Sequence, residues 1–511
     1  MLPAEQTYRP MIARNTLYNL IGQGVPLVIA VIAMPFVIRG LGVERFGILA
    51  LTWVILGYFN VFDLGLGRAA TKFVAEALSS DDVAGIDDIT STVLLTQTAL
   101  GSLGALLLML GTPLLVEVAL KVPASLTTEA LSALYIVAVA IPLVFISGTL
   151  QGVLEAAQRF DLVNAVRSPA IASNYLLPLL AVLLGWKLPG VIALLVVYRL
   201  VTVTVLYVLC VRVFPSLRSL TRFQPDRLRR IIRFGGWVTV SSIVNPLLVY
   251  LDRLLIGVMI SMAAVTYYTA PYEAVTRLSI IHGSLVATLF PAFSTLKGSG
   301  REGDITGLFT DSVKYLLLII GPILILLTGF AREILQVWLG GRFAAESTLL
   351  LQLLATGVLI NAVANVPFAM LQGTGRPDLT AKFHLIELPL HLAALYLGIS
   401  LWGITGAALA WSLRAAIDAV LLFAAAGRLS ATPVAVFLSE GIIQTLALFF
   451  AGCLAVMALS QLLPGAFLRT LLVLGVFAAC CGSVWFFCLT PRDRDRLARL
   501  GSVLRHGGDR S

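Results

Sequence analysis

Runs of about twenty consecutive apolar residues recur throughout this chain, and each is long enough for a helix to cross a bilayer. A helix rises about 1.5 Å per residue, so such a run matches a hydrocarbon core of about 30 Å. Fourteen runs are read: 15–39, 46–67, 89–116, 128–156, 162–184, 189–212, 233–260, 264–295, 313–331, 346–371, 380–400, 403–427, 437–463 and 469–490. In hydrocarbon every backbone N–H and C=O must be paired within the protein, and runs of this length satisfy that as helices. The expected fold is an all-α polytopic membrane protein with about fourteen transmembrane helices. Composition agrees, because 59% of the 511 residues are hydrophobic and only 12% are charged, against roughly 25% charged in soluble proteins. The longest link, 213–232, is too short for a soluble domain. The first run outlasts a signal-peptide core and lacks a small-residue cleavage site, so it reads as a retained span.

The net charge of +9 is not a nucleic-acid signature, because the basic residues sit in short clusters between apolar runs. With the N-terminus inside, the inside segments carry 23 Lys and Arg and the outside loops 7. That asymmetry predicts an even number of spans with both termini cytoplasmic. The largest cluster, RVFPSLRSLTRFQPDRLRRIIR, falls on the inside. The tail after residue 490 reads as a solvated charged run. Cys210, Cys453, Cys480, Cys481 and Cys488 lie in apolar segments and read as small hydrophobes.

The two halves repeat. VPLV at 25–28 faces NPLL at 245–248, LQG at 150–152 recurs at 371–373, RFDL at 159–162 as RPDL at 376–379, and WKLPGV at 186–191 as WGITGA at 402–407. The common order and an offset near 217–221 predict two pseudo-symmetric six-helix lobes, residues 1–212 and 233–428. A basic linker, 213–232, joins them; two extra C-terminal helices, 429–490, and a tail, 491–511, follow. Even-numbered halves share orientation, so their axis runs along the membrane normal and a cleft between them is the default substrate site.

The segments NTLYNLIGQGVPLVIAVIAMPFVIRGLGVERFGILAL, FDLGLGRAATKFVAEAL, LDRLLIG, LQGTGRPDL and LWGITGAALAW resemble the polysaccharide transporter family, the Wzx-type flippases of the multidrug/oligosaccharidyl-lipid/polysaccharide exporter superfamily. The resemblance reaches to about residue 430. It implies a two-lobed bundle that carries an undecaprenyl-diphosphate-linked oligosaccharide from the cytoplasmic to the outer leaflet of the bacterial inner membrane. It further implies alternating access, coupling to H+ or Na+, contact with membrane lipids, and a polysaccharide polymerase and other assembly proteins as partners.

A charge at mid-bilayer costs on the order of 3 kcal/mol or more, so each must face protein or water. Arg199 and Arg414 lie at similar depth in spans six and twelve, one residue out of repeat register, and a guanidinium suits a diphosphate because its fork is bidentate and stays charged. Arg277 and Arg253 are further candidates for substrate contact. Asn15, Asn19 and Gln23 share one side of the first span and offer amide groups to sugar hydroxyls or to neighbouring helices. The alternative for each charge is pairing at i, i+4: Arg414 with Asp418, Glu273 with Arg277, Glu155 with Arg159. Asp252 and Arg253 are adjacent and cannot both face lipid. His384, Glu387 and His391 share one helix face, where imidazoles flanking a carboxylate could carry a coupling proton; the plainer reading is a carboxylate bonded to neighbouring helices. With Asp252, Glu273 and Asp418 they are the ion-coupling candidates.

No HExxH zinc spacing occurs and His384, Glu387 and His391 span two turns, GTLQG at 148–152 reads as close helix packing, and GTGRPD at 373–378 reads as a turn rather than a phosphate loop. The sequence therefore predicts no cofactor, no metal and no catalytic residue. Two other functions remain open. A drug or metabolite cation antiporter shares the architecture, but arginines at mid-membrane oppose a cationic substrate. A membrane glycan polymerase or ligase lacks the large outer loop it would need.

Overall fold

The computed structural model describes residue 26 and residues 28–61, 66–79, 83–120, 122–218, 223–298, 302–429, 441–463, 465–491 and 494. Asn15, Asn19, Gln23 and the charged tail lie outside the described residues. No strand occurs among those described. The first helices are α1 (Val28–Leu41), α2 (Val43–Val61), α3 (Leu66–Ser79) and α4 (Val83–Pro113). They are followed by α5 (Thr127–Ala156), α6 (Phe160–Leu183), α7 (Leu188–Val213) and α8 (Pro225–Met259). Then come α9 (Met262–Thr276), α10 (Ser279–Gly298), α11 (Glu302–Gly329) and the short α12 (Ala331–Trp338). The last are α13 (Gly341–Gly373), α14 (Pro377–Leu429), α15 (Ile442–Leu462) and α16 (Ala466–Ser483).

Among the described residues nine helices are long and apolar enough to cross a membrane. Their outer faces carry side chains such as Leu110, 71% exposed, and Val420, 68% exposed. Apolar exposure on that scale is tolerable only against lipid, so the chain is a multi-pass membrane protein. The eighth apolar run is broken after Thr276 into α9 and α10.

The helices form two compact units, Met1–Ala270 with Leu388–Ala407 and Pro271–Glu387 with Ala408–Ser511. In the first, α3, α4 and α7 pack on α5. The apolar window of α5 is 50% buried, against 22% for those of α4, α6 and α7, so α5 is the hub. In the second, α10, α11 and α12 pack on α13, whose window is 72% buried. The small residues of α5 do what close packing requires: a Cβ on Gly152 would stand 2.7 Å from Thr71 Oγ1 and 2.9 Å from the Gly67 carbonyl oxygen of α3.

The two hubs end in the same turn, offset by 217 residues. Gln158 has φ +57° and Gly375 has φ +83°. The N–H of Arg159 donates to Leu154 O at 2.9 Å, and that of Arg376 to Leu371 O at 2.8 Å, a closure that terminates a helix on a left-handed residue. In each turn the arginine then grips the aspartate two residues on, Arg159 with Asp161 and Arg376 with Asp378. The RFDL and RPDL match thus marks structural equivalence, whereas the LQG match, offset by 221, sits about one helical turn out of register. Arg159 does not pair with Glu155, because α5 has ended and the left-handed turn swings Arg159 toward Asp161.

The predicted linker 213–232 is helical from Pro225 on, where α8 begins. Its start is tied to α4: Ser216 Oγ donates to Asp87 at 2.5 Å and Gln224 Nε2 to Asp88 at 2.6 Å. Helix α14 is two helices, 377–402 and 404–429, meeting at Gly403 with φ +58° and ψ −138°. The chain reverses there. A Cβ on Gly398 would lie 2.7 Å from Gly406 O, and one on Gly406 would overlap Gly398 O, so the arms of the hairpin meet backbone to backbone.

A non-glycine in the left-handed region costs about 1 kcal/mol. Gln158→Gly is therefore expected to stabilise the protein, and Gly375→Ala to destabilise it, each by about 1 kcal/mol, measured by denaturant unfolding in detergent.

Candidate functional site

Each unit holds a gathering of polar groups among its apolar helices. In the first unit α2, α5, α6 and α7 surround a cavity of about 460 Å³. Its polar lining comes from Thr52 and Trp53 on α2, Ser147 and Gln151 on α5, Arg167 and Asn174 on α6, and Tyr198, Arg199 and Thr202 on α7. Gly148 contributes open space, because no atom lies within 4 Å of where its Cβ would stand. Trp53 is fixed edge-on between Phe46, 5.8 Å away, and Tyr175, 5.4 Å away. Its buried indole N–H has no hydrogen-bond partner among the described residues.

Among the described residues two arginines and no carboxylate line this cavity, and neither Arg167 nor Arg199 has an ion-pair partner there. Three donors are thus uncommitted in a half-buried cavity, two of them permanently charged. Such a lining recognises an anion with several oxygens and repels a cation.

In the second unit the arms of α14 bring four ionisable side chains together. Ligand atoms of His384, Glu387 and Asp418 lie within 4.8 Å of one another. Arg414 Nη1 approaches Glu387 Oε2 at 3.8 Å, with side-chain exposures of 11% and 1%. Arg414 also lies over the Trp411 ring, 5.9 Å from its centre, and Tyr272 packs edge-on against that tryptophan. The buried Arg414 Nε, Glu387 Oε1 and Asp418 Oδ1 have no hydrogen-bond partner among the described residues. Two carboxylates face one guanidinium, so the cluster holds one negative charge in excess when His384 is neutral. Arg414 reaches across the hairpin to Glu387; no ion pair joins it to Asp418 within the described residues. The third titratable partner of His384 and Glu387 is Asp418 from the opposite arm. His391, buried one turn further along the helix, is not in this group.

The remaining sequence candidates are structural in their immediate contacts. Asp252 and Arg253 are both buried. Asp252 accepts from Tyr268 Oη at 2.6 Å and from the Arg253 backbone N–H at 2.7 Å. Arg277 donates to Glu273 at 2.7 Å, the i, i+4 pair expected from the spacing, at the break between α9 and α10. All five cysteines are free thiols and four are buried. Sequence reading passed over Arg167, although a basic residue inside an apolar run is the signal that singled out Arg199. It also passed over Trp53, Gln151, Asn174 and Tyr198, for which no linear signal exists.

The model of a family described as "Polysaccharide biosynthesis protein" matches residues 12–297, more than half of the chain. The chain belongs to this family. It is 29% identical over 411 residues to a Shigella flexneri protein named "Putative O-antigen transporter", covering 80% of this chain and 96% of that one. It is 24% identical over 193 residues to the Escherichia coli "Lipopolysaccharide biosynthesis protein WzxC", covering 38% of this chain and 39% of that one. Two solved structures share the fold. One is an inward-facing multidrug resistance MATE family transporter of the MOP superfamily, with TM-score 0.69 and 13% identity over 81% of this chain and 98% of that one. The other is the lipid II flippase MurJ in an inward closed conformation, with TM-score 0.65 and 12% identity over 93% and 98%. The family member described here thus shares the helical architecture of these transporters.

Breaking a buried ion pair from one side leaves the other charge uncompensated. Arg414→Ala is expected to cost about 3 kcal/mol, and adding Glu387→Gln to recover much of that loss. Unfolding of the two single variants and the double variant in detergent measures the coupling.

Proposed function

We propose that this protein is a flippase that carries an undecaprenyl-diphosphate-linked oligosaccharide, a surface polysaccharide repeat unit, from the cytoplasmic to the outer leaflet of the bacterial inner membrane. The observation that carries the reading is the cavity of the first unit, which among the described residues is lined by two arginines and no carboxylate. Arg167 and Arg199 offer two fixed positive charges to a diphosphate, and Trp53, Gln151, Asn174 and Tyr198 offer hydrogen bonds to sugar hydroxyls. A cation antiporter would need the opposite lining, carboxylates and open aromatic faces.

The carrier lipid needs an apolar site as well. The second unit has a crevice of about 440 Å³ between α13, the second arm of α14 and α15, lined by Ile360, Val363, Val420, Phe423, Ile443 and Phe450 among others. Its lining is almost wholly hydrocarbon, as an isoprenoid chain requires. The names of the relatives, which refer to O-antigen transport and lipopolysaccharide biosynthesis, point to the same substrate class. Alternating access between the lobes moves the headgroup, with both termini cytoplasmic as the basic loops indicate.

The Glu387 cluster supplies the coupling. With one proton held between Glu387 and Asp418 the four side chains sum to zero charge and the hairpin can move within the membrane. Loss of that proton leaves an excess negative charge, which disfavours the same movement.

Deleting the gene is expected to leave the lipid-linked oligosaccharide on the cytoplasmic leaflet and to remove the surface glycan, with redundant carriers also deleted. Wild-type protein should restore export, and the double variant Arg167→Ala, Arg199→Ala should lower it at least about tenfold at equal membrane abundance. Export unaffected by the deletion would overturn the reading. For coupling, Glu387→Gln is expected to flatten the pH dependence of transport in proteoliposomes, and an unchanged profile would remove the proton role.

A further inference from the structure

A second polar pocket lies far along the second unit from the α14 cluster in sequence and is built from helix ends. The C-terminal end of α11, the first turns of α12, α13 and α16, and the last turns of α15 enclose about 270 Å³. Helix ends in a spanning bundle mark the membrane surface. The polar lining is Arg332, Glu333, Thr348, Gln352, Ser460 and Arg469.

Charge decides what fits. Arg469 Nη1 meets Glu333 Oε1 at 3.3 Å, and Arg469 is only 17% exposed. Its buried Nε nonetheless has no hydrogen-bond partner among the described residues, and the exposed Arg332 has no ion-pair partner among them. One positive charge is in excess. Helices α13 and α16 begin near this pocket, and the positive ends of their dipoles favour an anion there.

The flanks are apolar. Val337 on α12 is 84% exposed, Leu462 at the end of α15 is 75% exposed, and Phe467, two residues before Arg469, is 74% exposed. Helix α12 therefore has three faces: Ala331 and Leu335 buried, Arg332 and Glu333 toward the pocket, Ile334 and Val337 outward. That is the pattern of a helix lying in the membrane interface, with hydrocarbon on one side and headgroups on the other.

We propose that this pocket binds the phosphoryl group of a membrane lipid, with Arg332 and Arg469 as its phosphate ligands and the lipid chains against Val337, Leu462 and Phe467. The site is separate from the cavity assigned to the transported glycan and does not depend on what that cavity carries.

The test is calorimetric titration of the full-length protein in maltoside detergent. Dioctanoyl phosphatidylglycerol is expected to bind, and Arg332→Gln, at an exposed position that the fold does not need, to weaken that binding at least about tenfold. Arg469→Gln should weaken it similarly and Glu333→Gln should tighten it. Equal binding of dioctanoylglycerol, which has no phosphate, or unchanged affinity in Arg332→Gln would overturn the proposal. Equal affinity for inorganic phosphate would overturn the lipid and leave a free-anion site. Because binding is read in detergent without transport, a failure here is distinguishable from a failure of the flippase reading.

Discussion

An unpaired polar group in hydrocarbon is expensive, and this constraint orders the whole molecule. It forces the backbone into helices, since only a helix pairs its own N–H and C=O groups while exposing side chains to lipid. It then dictates where charge can go. The buried charges described here are gripped by a partner, as Asp252 is by Tyr268, or gathered in a cluster, as Glu387 is with Arg414. The first-unit cavity differs: among the described residues, Arg167 and the partly buried Arg199 line it without a carboxylate.

The repeat explains how two such different arrangements arise from similar scaffolds. In each unit a buried hub helix ends in a left-handed residue and an Arg-x-Asp clasp, and a helical pair follows. In the first unit that pair, α6 and α7, is joined by four residues from Leu184 to Lys187 and helps to enclose a cavity. The pair that follows α13 is the two arms of α14, which turn on Gly403 alone, and Gly398 meets Gly406 backbone to backbone. A tight hairpin brings facing side chains into contact, so His384, Glu387, Arg414 and Asp418 meet one another. The near-equivalence of Arg199 and Arg414 in the sequence thus conceals two roles. One lines a cavity, the other spans a hairpin.

The sequence by itself determined the class of fold. Apolar run length and basic-loop asymmetry need no tertiary information, because bilayer thickness and backbone pairing act on each segment separately. It also pointed to the turn at Gly375 and the packing role of Gly152, and offered the Glu273–Arg277 pair as one of two readings, all of which rest on contacts within a few residues or on the small size of one side chain. Only the tertiary structure decided which charges face which. Arg414 has Asp418 four residues away and Glu387 twenty-seven residues away, and it approaches Glu387 because the reversal at Gly403 sets the two arms side by side. Arg167, Arg199 and Trp53 are far apart in the chain, and their shared cavity follows from how α2, α6 and α7 lean against α5. Helix formation is local and periodic, whereas the rotation of one helix against another is set by side chains from several segments at once.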